Sequence, residues 1–81
     1  MSSKTILVVD DEKPIRDMIT VALEMADFQV LEASEVQQAH ALVIDKKPDL
    51  LLLDWMMPGV SGIEFIKRLR ADELTQDLPI V

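Results

Sequence analysis

The chain has 81 residues, which bounds it to one domain at most, and 49% of them are hydrophobic, enough to build a core. A formal charge of −7 and a pI of about 4.4 exclude a surface suited to nucleic acid or to anionic membranes, so this segment is expected to make no direct DNA contact. There is no cysteine, which excludes disulfides and thiolate metal sites and fits a reducing cytoplasm, the expected location.

Met1-Ser2-Ser3-Lys4 leads into Ile6-Leu7-Val8-Val9, an apolar run too short for a signal-peptide core or a membrane span. Its β-branched composition predicts a strand buried on both faces, as in a parallel sheet. Pro14 suits the first turn of a helix, where its missing N–H costs nothing, and Ile15, Met18, Ile19, Ala22 and Leu23 follow at helical spacing. Phe28, Val30 and Leu31 predict a second, shorter strand. Ser34 with Gln37 reads as a capping box opening a second helix, with Val36, Ala39 and Val43 on its buried face. Lys46-Lys47 complements the end of that helix and Pro48 stops it.

Leu50-Leu51-Leu52-Leu53 is the most apolar run and is expected to be the central strand. Met57-Pro58-Gly59 supplies turn chemistry. Ser61 with Glu64 reads as another capping box, and Ile63, Ile66 and Leu69 as the buried face of a third helix. Leu78-Pro79-Ile80-Val81 begins a fourth strand. Strands alternating with helices predict an α/β fold, a doubly wound parallel sheet with right-handed crossovers. Neither an internal repeat nor a low-complexity stretch is present.

In open sheets of this kind ligands sit beyond the carboxyl ends of the strands. Asp10-Asp11 after the first strand and Asp54 after the third occupy such places, and adjacent parallel strands would bring them together. Three converging carboxylates repel one another and call for a cation; hard oxygen donors with room for water suit Mg²⁺. A cation there lets an anionic nucleophile meet a phosphoryl group, and a carboxylate can take that group as an acyl phosphate. Asp54, at the end of the strand expected to be central, is the best nucleophile. Taken singly, Asp10 and Asp11 could merely complement a helix N-terminus, and Asp54 could be an ordinary loop acid; their combination carries the reading.

The stretches Ile6-Leu7-Val8-Val9-Asp10-Asp11-Glu12 and Leu51-Leu52-Leu53-Asp54-Trp55-Met56-Met57-Pro58-Gly59-Val60-Ser61-Gly62 resemble the two hallmark stretches of bacterial response-regulator receivers. The resemblance runs from about Lys4 to Val81, and Trp55 with Met-Pro-Gly looks most like the winged-helix transcription-factor branch. It implies a flavodoxin-like (CheY-like) fold of strand order 2-1-3-4-5. It also implies a signalling module rather than an enzyme: a phosphorelay receiver regulating a transcription factor, with a sensor histidine kinase as partner. Asp54 would be the phosphoacceptor. Asp11 and Asp54 would offer side-chain oxygens to Mg²⁺, Asp10 would act directly or through a water, and the backbone carbonyl of Met56 would complete the protein ligands. Ile15 and Met18 would sit partly at the kinase-docking surface.

Against the family pattern, residues 1–81 are expected to form a partial receiver that ends in the fourth strand. A Ser or Thr after that strand, a Lys after the fifth, the remaining elements and the DNA-binding output domain would be absent. Impaired phosphorylation follows as an expectation, as does self-association or element exchange to bury an apolar face and a bare sheet edge. Haloacid-dehalogenase phosphatases need a second Asp two residues after the nucleophile, where this chain has Met56, and a Rossmann domain needs a Gly-rich turn where Asp10-Asp11-Glu12-Lys13 stands. An inert chain that only self-associates stays open. His40 and the methionines read as packing or surface residues, Trp55 as adjacent to the site, and Lys67, Arg68 and Arg70 as a solvated helix face.

Overall fold

The computed structural model describes residues 4–54 and 62–81. Its elements run β1 (Thr5–Val9), α1 (Lys13–Met25), β2 (Gln29–Ala33), α2 (Val36–Lys46), β3 (Leu50–Leu53) and α3 (Gly62–Ala71). The strands are parallel in the order β2-β1-β3, so β1 rather than β3 lies in the middle of the named strands. The first crossover carries the chain to one side of β1, and the second returns it to the other. Beyond β3, Ile80 forms a single parallel bridge to Leu51, with hydrogen bonds Leu51 N–H to Pro79 O (2.9 Å), Val81 N–H to Leu51 O (2.9 Å) and Leu53 N–H to Val81 O (3.0 Å). The expected fourth strand thus begins beside β3, as one bridge.

Strand alternation divides the sheet into two faces. Leu7, Val9, Leu51 and Leu53 join Val36, Ala39 and Val43 of α2 and Phe65 and Leu69 of α3 in one buried cluster. Ile6, Val8, Leu50 and Leu52 belong to the opposite face, where Ile19 of α1 shares a cleft with Val8 and Leu52. Helices on both faces are what the doubly wound expectation requires. The second face is thinly covered: α1 has no buried residue, and Met18, Val21 and Met25 are 64%, 55% and 81% exposed. Among the described residues no helix is long and apolar enough to cross a membrane.

Local chemistry sets the element ends. Pro14 lies in the first turn of α1, as expected. The expected Ser34–Gln37 capping box does not form at α2, whose N-cap has no side-chain cap bond. Glu35 is the N-cap, in extended conformation, so the amide that reaches back is Gln38 at the third helical position. Its Oε1 accepts from the Ser34 N–H (2.9 Å) and hydroxyl (3.0 Å). Val36, Ala39 and Val43 are buried as expected. In α3 the buried face is Gly62, Phe65 and Leu69; Ile63 is 54% exposed and Ile66 half-buried. Phe65, the bulkiest apolar side chain of that helix, takes the inward position with Leu69 one turn on, and this rotates Ile63 outward. The Met57-Pro58-Gly59 turn and Ser61 of the second capping box lie outside the described residues. Arg70 is not only a solvated cation: its Nη1 donates to the carbonyls of Gln76 (2.8 Å) and Leu78 (2.6 Å), tying α3 to the segment that enters the bridge.

Lys47 ends α2 in the left-handed region, at φ 50° and ψ 62°, where a Cβ is costly and glycine is not. Lys47→Gly is expected to stabilise the chain by about 1 kcal/mol, read as a higher urea midpoint at unchanged slope; an unchanged or lower midpoint would contradict this account of the cap.

Candidate phosphoacceptor and metal site

The register of the sheet builds the site. Asp49 clamps the start of β3 to the start of β1: its N–H donates to Thr5 O (2.7 Å), and its carboxylate accepts the Thr5 N–H (2.8 Å). From there the strands pair through Val9↔Leu53, which leaves Asp10 and Asp54 side by side one residue past the last pair. The Asp54 N–H donates to Val9 O at 2.9 Å and the Asp10 N–H to Ala33 O at 3.1 Å. Parallel strands about 4.8 Å apart therefore deliver both carboxylates to one edge.

Asp10 is buried, Asp54 half-buried and Asp11 exposed. One carboxylate oxygen from each lies within 4.8 Å of the others. All three side chains expected to gather do so; the fourth expected ligand, the Met56 carbonyl, lies outside the described residues, as does Trp55. At this separation two carboxylates repel by roughly 1 to 3 kcal/mol, the span between bulk water and a protein surface, with exposed Asp11 at the low end. Oxygens of one octahedral Mg²⁺ shell lie about 3 to 4 Å apart, so small side-chain rotations suffice for the three acids to share an ion. The donors are hard, anionic and reachable by water, and they fit Mg²⁺ better than a soft metal.

Sequence reasoning missed Arg16 and Glu32. The Arg16 Nη1 donates to the carbonyl of Asp10 (2.7 Å), and its Nε pairs with the Glu32 carboxylate on β2 (3.1 Å). A signal was present: Arg16 shares the sheet-facing side of α1 with Ile19 and Leu23, and a charge on such a stripe needs a partner. On the α1 face an apolar cleft of about 220 Å³ adjoins the corner, lined by Val8, Ile19, Leu52 and Val81 together with Asp10 and Asp54.

A family model described as the response regulator receiver domain matches residues 6–81. The phosphate regulon transcriptional regulatory protein PhoB of Pseudomonas aeruginosa is 65% identical over the whole chain, which covers 35% of that protein. PhoB of Escherichia coli K12 is 48% identical over 79 residues, 98% of this chain and 34% of that protein. The chain thus spans about a third of the length of these curated relatives. Among solved structures, the N-terminal domain of a response regulator receiver protein from Methanoculleus marisnigri superposes with a TM-score of 0.93 at 35% identity, over 98% of this chain and 64% of that one. Chemotaxis response regulator CheY4 of Vibrio cholerae gives 0.91 at 30% identity, over 98% and 66%.

Neutralising Asp11 relieves repulsion that a bound cation would also offset. Asp11→Asn is expected to raise the stability of the metal-free chain by about 1 kcal/mol while losing most of the stabilisation that Mg²⁺ gives the unsubstituted chain. Urea unfolding of both proteins with and without Mg²⁺ checks both signs; equal gains from Mg²⁺ would remove Asp11 from the site.

Proposed function

The chain belongs to the response regulator receiver family, and on that footing we propose that it is the receiver of a two-component phosphorelay, with Asp54 taking the phosphoryl group. The observation that carries the reading is the meeting of Asp10, Asp11 and Asp54 within 4.8 Å at the carboxyl edge of a parallel sheet. An Asp54 oxygen attacks phosphorus, an acyl phosphate bond forms, and the bond from phosphorus to the donor breaks. With a sensor histidine kinase as donor the leaving group is an imidazole nitrogen, which ends protonated. When bound, Mg²⁺ would offset the charge gathered between the carboxylates and the incoming phosphoryl oxygens. Asp10, Asp11 and Asp54 would hold it, with the Met56 carbonyl as the further ligand. Similarity to PhoB, named a transcriptional regulatory protein, supports a transcription factor as the protein whose output this receiver sets.

The Arg16 guanidinium is committed to Glu32 and the Asp10 carbonyl. Incubation with a small acyl phosphate donor and Mg²⁺, followed by intact-mass measurement, should give a gain of one phosphoryl group that Asp54→Asn abolishes. A product that survives that substitution, or none at all, would overturn the reading.

A second reading, an 81-residue chain that only self-associates, rests on the α1 face. Its exposed Met18, Val21 and Met25, and separately the apolar cleft between Ile19, Val8 and Leu52, leave apolar surface on that side of the molecule. A second copy is the proposed occupant, by docking or by exchange of elements. Light scattering after size exclusion should show a dimer that Met18→Lys with Val21→Lys disperses; a monomer across the accessible concentrations would remove this reading and leave the first intact.

A further inference from the structure

Asp10 and Asp11 turn the chain from β1 into α1, and the three polar groups of Asp10 are each bonded to a different part of the molecule. Its N–H goes to Ala33 at the end of β2, its carboxylate accepts the Glu12 N–H at 2.9 Å, and its carbonyl accepts Arg16 Nη1 at 2.7 Å. The last bond is the only one of the three that reaches back from within α1. The Arg16 side chain is 14% exposed and is held at its other edge by Glu32 at 3.1 Å.

We propose that Arg16, oriented by Glu32, is the positioning residue that sets Asp10 and Asp11 for binding a divalent cation. This rests on the reading of the acidic corner as a cation site. The planar guanidinium spans the Asp10 carbonyl and the Glu32 carboxylate with donors in a fixed fork, which an ammonium on a flexible stem does not reproduce. Since α1 buries no residue, side-chain packing does little to fix the first turn of the helix against the sheet. Arg16 supplies that constraint through polar bonds to the ends of two strands. Asp11 is exposed and follows directly from Asp10, so its direction is inherited from the peptide unit that Arg16 holds.

Charge and position predict opposite signs. Removing a cation near three carboxylates strengthens attraction for Mg²⁺ if charge alone matters. Releasing the Asp10 carbonyl weakens binding if alignment matters, on the scale of about 10-fold seen when the partners that orient metal ligands are lost. The experiment measures Mg²⁺ affinity by calorimetry on the 81-residue chain and its Arg16→Ala, Arg16→Lys and Glu32→Gln variants. Amide exchange of each metal-free chain is followed by NMR. The expected result is about 10-fold weaker Mg²⁺ binding in both Arg16 variants, a smaller loss in Glu32→Gln, and faster exchange at Asp10 and Glu12 with Leu7 and Leu51 unchanged. Tighter binding by Arg16→Ala, full affinity in Arg16→Lys, or exchange quickened equally across the sheet would overturn the proposal. If the unsubstituted chain binds no Mg²⁺, the cation-site reading falls; the exchange at Asp10 and Glu12 then decides by itself whether Arg16 orders the corner. Should Arg16→Ala fail to fold, Arg16→Lys carries the comparison, because it keeps the charge and loses the fork: charge alone leaves its affinity unchanged, and alignment weakens it.

Discussion

The pairing register of β1 with β3 is the constraint on which the site depends. A shift by one residue in a parallel pair exchanges the two faces of a strand. It would turn Leu51 and Leu53 away from the cluster around Phe65 and separate Asp10 from Asp54. The buried face therefore enforces an electrostatically unfavourable arrangement at the strand ends. Hydrophobic packing holds three anions together that would otherwise drift apart, and this repulsion is the physical ground on which a cation is proposed there.

The reciprocal bonds between Thr5 and Asp49 fix that register at the opposite end of the strands, four pairs away from the acids. Pro48, buried just before Asp49, and Lys47 in its left-handed conformation bring the chain out of α2 at the right place to make the clamp. A turn at one end of the strands thus sets the geometry of the acidic corner at the other, through strands too well packed to slide.

The sequence made some of these features legible and hid others for physical reasons. Four consecutive leucines and the Ile-Leu-Val-Val run could only be buried strands, and the acids that follow them were placed by the rule for open parallel sheets. Val36, Ala39 and Val43 carried an unmistakable helical stripe. The face of α3 was misjudged because Ile63, Ile66 and Leu69 also fit a helical period; only the competition for interior volume, won by Phe65, separates the two solutions. The capping amide of α2 was displaced because Gln37 and Gln38 are chemically identical, and which one reaches Ser34 depends on where the helix begins. Arg16 and Glu32 escaped notice because their pairing spans two elements and cannot be read from local spacing.

The thin cover on the α1 face bears on cooperativity. A helix with no buried residue meets the sheet through half-buried side chains, Ile19, Thr20 and Leu23 among them, and through the Arg16 guanidinium, while α2 and α3 share a continuous interior with β1 and β3. Segments so unequally held open at different free energies. Within a global transition that the chain crosses as one unit, α1 is then the element expected to open locally at the lowest free energy, ahead of the strands.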